Sequence, residues 1–236
     1  MDKNPGKINE QYKKSNKRNN EGDLIINPKI FSDLDIIDSI NSIDLGKIKN
    51  LIKFFTLKSV LLGKKIIDKI ENLEYSDNDG WKPIHYICRF SNPELIKYII
   101  DKGVELECLN NDEEKPIHLI CKHSTPEMVK YIIDKDVDLE CVTINSWRPI
   151  HLICRYSTPE SIEYIINKGV DLECATNEGW KPINLICRYS TPEIIKYTID
   201  KGVDLECVTH NDWKPIHFVC EFSTPEIIKY IIDKGV

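Results

Sequence analysis

The sequence has almost no alanine, no long apolar run and no excess of positive charge. Alanine occurs once in 236 residues, at Ala175. The longest mostly apolar stretch, 51–62, is interrupted by Lys53 and Lys58 and is too short to span a bilayer. The first twenty residues are polar and lack the apolar core of a secretory signal. These absences predict an intracellular protein, in the cytoplasm rather than the nucleus, with no membrane contact.

Signatures of catalysis and of nucleic-acid binding are also missing. The formal net charge is −6, whereas a nucleic-acid-binding domain usually carries a basic face. The chain has no Gly-rich phosphate loop and no His-Glu-x-x-His signature, and no nucleophile–base pair accompanies its histidines. We therefore expect no catalysis, no cofactor and no nucleic acid as a partner.

The chain does contain one cassette that recurs five times. The cassette begins Trp-Lys-Pro-Ile-His-x-Ile-Cys, continues with Ser-Thr-Pro-Glu and ends Ile-Ile-Asp-Lys-Gly-Val-Asp-Leu-Glu-Cys. Its first prolines stand 33 residues apart, at Pro83, Pro116, Pro149, Pro182 and Pro215. A fixed period of about 20–50 residues is typical of stacked repeats, which present a long surface rather than a closed pocket. The first hypothesis is therefore a binding protein.

Each cassette predicts two helices. Because proline suits the first position of a helix, the first helix of the third cassette should begin at Pro149 and extend roughly over 149–155. The second helix should begin at the Ser-Thr-Pro-Glu motif, where either Ser157 or Thr158 can cap, and where Ser157 and Glu160 have the spacing of a capping box. It should end before Gly169, since glycine commonly follows a helix in the left-handed conformation. The expected fold class is an all-α repeat solenoid.

A 33-residue unit with Pro-Ile-His in the first helix and Gly-Val-Asp-Leu-Glu-Cys after the second closely resembles the ankyrin repeat. That family usually has Thr-Pro-Leu-His, two alanines and later Gly-Ala-Asp-Val-Asn-Ala. The resemblance is good over 79–236 and weak over 46–78. It implies stacked helix-turn-helix units with projecting β-hairpin-like loops, and a protein partner bound by the loop tips and the concave face. Lys or Arg replaces the family's threonine, and Ile and Cys replace its alanines. The style is also similar to that of ankyrin arrays encoded by large DNA viruses of amoebae.

The repeat register divides the chain into eight segments. Polar residues 1–23 have little to bury, which predicts a disordered tail, although their basic cluster could also be a nuclear address. Apolar residues in 24–45 predict an amphipathic helix, and 46–78 reads as a degenerate capping repeat. Four full repeats and an incomplete one should follow, over 79–111, 112–144, 145–177, 178–210 and 211–236.

Two places in the array are predicted to be weak. In repeat 112–144, Glu113 stands where two other copies have glycine, Glu114 replaces the tryptophan, and Asp136 replaces the glycine that ends the second helix. A residue other than glycine there costs about 1 kcal/mol, so this repeat should open first. In 211–236 the apolar pattern has no polar closing unit behind it, which predicts fraying, self-association through this end, or a partner.

Cysteine and histidine suggest a second hypothesis, a metal-binding or redox-responsive protein. His-x-x-Cys recurs in four repeats, and the cysteines form two rows. The rows are Cys88, Cys121, Cys154, Cys187 and Cys220, and Cys108, Cys141, Cys174 and Cys207. Equivalent positions on stacked helices lie about 8–10 Å apart, whereas zinc needs four ligands at about 2.0–2.3 Å from one point and a disulfide needs Cα atoms within about 7 Å. Small buried apolar side chains explain both rows better. The family resemblance implies that His85, His118, His151 and His217 bind loop backbone.

Residue types that anchor protein interfaces recur at fixed positions. The family resemblance places the residue two before the proline, and the end of the first helix, on the concave side. The candidate contacts there are Trp81, Trp147, Trp180 and Trp213; Arg89, Arg155 and Arg188; and Phe90, Tyr156, Tyr189 and Phe222. The turns vary most between copies and add Asn111, Ile144, Asn177 and His210.

These residues allow two interpretations. In the first, they form an aromatic and basic groove for an acidic or amphipathic segment of a protein partner. In the second, they form a ladder of Trp stacked on neighbouring Arg or aromatic side chains, which holds the repeats together. The near-identity of the copies favours the ladder, because a specific site usually needs different residues at each step. The two interpretations are compatible, and the sequence leaves both open.

Overall fold

A computed structural model describes residues 59–235, and eleven α-helices with no β-strand make up the regular structure of that part. The helices are α1 (Val60–Asp68), α2 (Pro83–Phe90), α3 (Pro93–Asp101), α4 (Pro116–His123), α5 (Pro126–Ile133), α6 (Pro149–Tyr156), α7 (Pro159–Asn167), α8 (Pro182–Tyr189), α9 (Pro192–Ile199), α10 (Pro215–Phe222) and α11 (Pro225–Asp233). The predictions for 1–23, for 24–45 and for the first part of 46–78 fall outside the described residues. The longest of these helices have nine residues, so none could traverse a bilayer.

The helices recur with the period of the sequence. Each even-numbered helix begins at the first proline of a cassette, and each odd-numbered helix after α1 begins at the second proline. Proline explains both starts, because its fixed φ suits the first turn and its missing N–H is not needed there. Helix α1 starts 33 residues before α3, in the position of a second helix of the degenerate repeat.

Successive repeats share one continuous core between two layers of helices. Even-numbered helices pack side by side along the array, odd-numbered helices form the second layer, and each even-numbered helix packs against the odd-numbered one that follows it. Ile84, Ile120, Ile153 and Ile186 are fully buried in this core. Because one helix pair could not cover its own apolar face, each repeat depends on its neighbours. The predicted all-α repeat solenoid is confirmed.

The capping box predicted at the start of the second helix is wrong. The N-cap of α7 is Thr158, and Ser157 is instead the residue that closes α6, with its N–H donating to the Ile153 carbonyl at 3.0 Å. The Ser157 hydroxyl is buried without a hydrogen-bond partner. The same is true of the equivalent serines, which are Ser91, Ser124, Ser190 and Ser223. The short loop between the helices therefore places the serine one position too early to cap.

A histidine supplies the cap of the first helix. In α6, the backbone N–H of Arg148 donates to Nδ1 of His151 at 3.0 Å, and Nε2 of the same ring lies 3.2 Å from the carbonyl oxygen of Cys174. The ring is thus fixed as the tautomer that accepts at Nδ1 and donates at Nε2. Asn184 keeps the first bond, at 3.0 Å, but its amide nitrogen is buried without a partner. These contacts agree with the structural function that the family resemblance implies for the histidine.

The Lys or Arg before each proline binds the loops on both sides. Arg148 pairs with Glu140 of the preceding loop and with Asp171 of the following loop, the latter at 3.1 Å. Glu140 also accepts the backbone N–H of Asp171 at 3.0 Å. The same pattern holds around Lys82, Lys115 and Lys181. A cation therefore joins consecutive loops where the family has threonine.

Repeat 112–144 contains two strained backbone positions. Asp136 has φ of 57° and Glu113 also has φ of 57°, in the left-handed region that favours glycine. The position equivalent to Asp136 in the next repeat is Gly169, with φ of 80°. A Cβ atom added at Gly169 would meet no atom within 4 Å. Space is therefore not what favours glycine at this position, and the cost of a side chain comes from the left-handed backbone.

Replacing Asp136 with glycine should stabilise the array by about 1 kcal/mol, because it removes the cost of a left-handed residue that bears a Cβ. The matched reverse change, Gly169→Asp, should destabilise by a similar amount. Urea unfolding followed by circular dichroism measures both. In the wild type, amide exchange in α5 and around Asp136 should be the fastest of the internal repeats; maximal protection there would contradict this prediction.

Candidate protein-binding face

A closed turn precedes each tryptophan and fixes its position. Before Trp147, the N–H of Ser146 donates to the Thr143 carbonyl at 2.8 Å, and the N–H of Thr143 donates to the Trp147 carbonyl at 3.0 Å. The Thr143 hydroxyl accepts the Trp147 N–H at 3.2 Å. The indole ring is half-buried and packs on the core. Trp180 and Trp213 are placed in the same way, and before Trp81 the Asp77 carboxylate replaces the threonine hydroxyl as the acceptor.

Arginines stack between aromatic rings along the array. The Arg155 guanidinium lies 5.4 Å from the ring centre of Trp147, 5.1 Å from that of Tyr156 and 6.0 Å from that of Tyr189 in the next repeat. Arg188 lies 5.6 Å from Trp180, 5.2 Å from Tyr189 and 5.5 Å from Phe222. These are cation–π distances. The contacts that the ladder interpretation requires are therefore present, and they cross from repeat to repeat.

The ladder still leaves aromatic surface in contact with solvent. Tyr156, Tyr189 and Phe222 are 46%, 45% and 49% exposed. We call the predicted tryptophans, arginines and helix-end aromatic residues together the aromatic-basic row. Its members are Trp81, Arg89, Phe90, Trp147, Arg155, Tyr156, Trp180, Arg188, Tyr189, Trp213 and Phe222. Its stacked side chains are held in place and partly accessible, so packing and partner contact are compatible uses of the same residues.

The cations at the ends of the first helices have no carboxylate partner. No ion pair forms at Arg89, Lys122, Arg155 or Arg188 within residues 59–235. Partial burial of the His123 ring is the main cause that lowers its pKa to about 4, and the nearby Lys122 and Arg89 cations lower it further. One face of an acidic protein thus carries a line of positive charge.

The four predicted turn residues lie on one edge beside this row. The backbone N–H of Asn111, Ile144, Asn177 and His210 donates to a carbonyl of the preceding turn, at 3.0, 3.0, 3.1 and 3.0 Å. These bonds tie the turns into a continuous edge. The Ile144 side chain is 55% exposed, whereas Asn177 uses its side chain to bind Ser146 at 2.6 Å and the Ile144 carbonyl at 3.2 Å.

The family resemblance implied the histidine bond to loop backbone, but sequence reasoning missed the cap that the same ring gives to the first helix. It also missed the ion pairs that the Lys or Arg before each proline makes with the loops on both sides. Both depend on contacts between residues 3, 8 and 23 positions apart, such as Arg148 with His151, Glu140 and Asp171. The sequence did contain a signal for the ion pairs. In every copy a basic residue precedes the cassette proline, and a glutamate stands eight positions before that basic residue.

The cysteines and histidines give no support to a metal or redox site. Eight of the nine cysteines are buried. Burial raises the pKa of Cys108 and Cys174 to about 11 and that of Cys141 to about 12, so these thiols are protonated at neutral pH and react poorly. In the part of the chain from 59 to 235, no group of three or more His, Cys, Asp or Glu side chains is arranged to hold a metal ion.

Comparison with known proteins agrees with this geometry. The family model described as ankyrin repeats (3 copies) matches four overlapping stretches, 52–143, 84–176, 118–207 and 150–236. None of the curated proteins compared with the chain matches it.

A similar solved structure is a chain of the complex described as "Bd0816 Predatory Endopeptidase from Bdellovibrio bacteriovorus in complex with immunity protein Bd3460". The TM-score is 0.65 at 19% identity, over 80% of this chain and 97% of that one. This likeness concerns the fold alone. The family match covers most of the sequence and follows the same 33-residue period as the helices, and on these grounds the chain belongs to the ankyrin repeat family.

Proposed function

We propose that this chain is a non-catalytic scaffold that binds an acidic or amphipathic segment of a protein partner along the aromatic-basic row and the adjoining turn edge. Ankyrin repeats generally mediate protein–protein interaction, and their fold is typically non-catalytic. The observation that carries the proposal is a line of four cations that have no carboxylate partner in the part of the chain that the structure describes, which are Arg89, Lys122, Arg155 and Arg188.

The line differs from the cations that precede the prolines, although within residues 59–235 the second-helix lysines Lys97, Lys130 and Lys229 form no ion pair either. The Lys or Arg before the proline binds one carboxylate on each side in four repeats, as Lys181 does with Glu173 at 2.7 Å and Asp204 at 3.1 Å. The chain has 38 acidic residues against 32 basic ones, so acidic side chains are plentiful. The helix-end cations nevertheless have no carboxylate partner within residues 59–235, which favours a carboxylate that comes from a binding partner.

The row is also preorganised for binding. Arg155 and Arg188 are already held between rings, so little side-chain entropy is lost when a carboxylate arrives. Arg presents a planar fork that can bind a carboxylate through two hydrogen bonds. The row thus combines a fixed cation with an exposed ring at each of two consecutive repeats.

The repeat spacing predicts the sequence pattern of the ligand. Packed helices lie about 8–10 Å apart, and an extended chain advances about 3.3 Å per residue. An extended segment that runs along the row should therefore place an acidic side chain opposite a cation at about every third residue.

The test is a binding titration with a synthetic peptide of about twelve residues that carries Asp at every third position between Ser and Gly. We expect binding that weakens with salt and falls at least tenfold in Arg155→Glu and in Arg188→Glu. Lys229→Glu makes the same charge change on α11, in the other helix layer, and should leave the affinity unchanged. Equal affinities of Arg155→Glu and Lys229→Glu for the peptide would contradict the proposal, provided that urea unfolding shows both variants folded.

A further inference from the structure

A cleft interrupts the aromatic-basic row between its first and second tryptophans. Its volume is about 360 Å³. Three consecutive repeats contribute to its lining, which includes Glu114, Lys122, Trp147, Leu152, Arg155 and Glu178. A volume of this size is at the lower end of the range of ligand pockets.

The cleft exists because repeat 112–144 lacks the side chains that fill this position elsewhere. Glu114 stands where the other four cassettes have tryptophan, and Lys122 stands where three of them have arginine. The next tryptophan along the array, Trp147, therefore has no indole beside it on this side.

The other tryptophans each pack against an aromatic ring that Trp147 lacks. Trp81 lies 5.0 Å from the Tyr86 ring, and Trp180 and Trp213 lie 5.1 Å and 5.0 Å from the Phe218 ring. The residue of repeat 145–177 that is equivalent to Tyr86 and Phe218 is Leu152. Between residues 59 and 235, the ring and cation contacts of Trp147 are with His151, edge-on at 6.0 Å, and with Arg155.

The walls of the cleft carry opposite charges. Lys122 and Arg155 come from the last turns of α4 and α6, and neither has a carboxylate partner within the described residues. Glu114 and Glu178, which line the same cleft, come from the turns. Leu152, which is 6% exposed, and Trp147 supply the apolar surface between them.

We propose that this cleft is the anchor pocket for one aromatic side chain of the partner segment, next to an acidic residue of that segment. The ring stacks on Trp147 above Leu152, the neighbouring carboxylate binds Lys122 and Arg155, and backbone N–H groups of the segment donate to Glu114 and Glu178. This inference rests on the proposed function and adds an aromatic anchor to the acidic pattern.

An aromatic occupant fits the cleft better than a basic one. A Lys or Arg side chain could pair with Glu114 or Glu178. It would also meet Lys122, and it would compete with Arg155, which already lies 5.4 Å from the Trp147 ring centre. An aromatic ring instead supplies the kind of partner that Tyr86 gives to Trp81 and Phe218 gives to Trp180. Buried rings at the centre of a contact, surrounded by polar groups, are the usual anchors of protein interfaces.

The experiment compares two acidic peptides of the spacing described above, one with a central Phe flanked by Asp and one with Ala in place of that Phe. On the wild-type chain, the Phe peptide should bind at least tenfold more tightly than the Ala peptide. Glu114→Trp restores the tryptophan of the other repeats and should fill the cleft, so it should abolish this preference. Glu163→Trp, an exposed position on α7 in the other layer, is the matched control and should keep the preference.

Leu152→Phe provides a second way to fill the cleft, because it copies Phe218 at the equivalent position. It serves if Glu114→Trp fails to fold by circular dichroism. A Phe preference that survives in the folded filling variants would overturn the anchor pocket. Equal binding of both peptides to the wild type, with weakening of both by Arg155→Glu, would also overturn the pocket and leave the acidic groove standing. If neither peptide binds the wild type, both proposals fall.

Discussion

Acidification from pH 7 to about pH 4 is expected to destabilise the array by several kcal/mol, and the buried histidines are the main cause. His118 and His151 are fully buried. Burial lowers the pKa of each to about 4, whereas a histidine in the unfolded chain has a pKa of about 6.5. Each ring uses Nδ1 to accept the N–H that caps its helix, and protonation would abolish that bond.

The sign of the effect follows from proton binding. Between about pH 6.5 and pH 4 the unfolded state binds more protons at these sites than the folded state, so the free energy of unfolding rises with pH in this window. The stabilisation is complete above the unfolded pKa and is lost as the pH falls towards the folded pKa. The difference between a pKa of about 6.5 in the unfolded chain and one of about 4 in the folded chain corresponds to about 3 kcal/mol of unfolding free energy for each histidine.

Other groups add to the effect without obscuring it. Burial also lowers the pKa of His85, which acts in the same window. His123 shares a lowered pKa but is exposed to solvent, which screens its contribution. Backbone and lysine contacts lower the pKa of Asp204, and such a carboxylate loses its stabilising contribution only below its unfolded pKa of about 3.9.

Urea unfolding at a series of pH values between about 7 and 4.5 measures this dependence. The double variant His118→Asn, His151→Asn is the control, because Asn184 shows that asparagine can keep the capping bond, at 3.0 Å. The variant should be less stable than wild type at pH 7 but should lose much less stability on acidification. An unchanged slope with pH in the variant would show that other groups cause the acid sensitivity.

The sequence predicts the helices of this fold well because proline marks where each one starts. Helix α6 begins at Pro149, as expected, and ends at Tyr156, one residue beyond the predicted range. The error at Ser157 has a physical reason: capping-box spacing is a local signal, but the turn between α6 and α7 is so short that Ser157 must first close the preceding helix. Ser157 and Thr158 both carry a hydroxyl group that could cap α7. The backbone conformation decides which residue takes the N-cap position, and the spacing of residues in the sequence does not specify that conformation.

The candidate site is predictable only in part. The stacked aromatic-basic row follows from the 33-residue period, because equivalent residues of a solenoid must line up. The cleft does not follow, since it is a space formed by side chains of three repeats. In the sequence, Glu114 indicates only a repeat that departs from the others; in the structure, it is one wall of the cleft. A departure from the consensus in one repeat therefore changes the shape of the surface as well as the strain of the backbone.

Truncation of Ile153 to alanine should destabilise the array by about 2–5 kcal/mol, the usual cost of losing a fully buried large aliphatic side chain. Ile153 is completely buried in α6, and α6 packs against both α4 and α8. The cavity would therefore weaken two interfaces between repeats, and in a stacked array such interfaces supply much of the stability. Urea unfolding and amide exchange in α4, α6 and α8 measure the loss.

Ile144→Ala is the matched control, because it makes the same change nine residues earlier, at a side chain that is 55% exposed. Its stability should stay within about 0.5 kcal/mol of wild type. Ile144 lies on the turn edge beside the row, so a partner that docks across that edge should lose affinity for Ile144→Ala. The expected difference rests on Ile153 belonging to the shared core that holds the repeats together and on Ile144 belonging to the exposed edge. Equal destabilisation by the two substitutions would contradict this assignment.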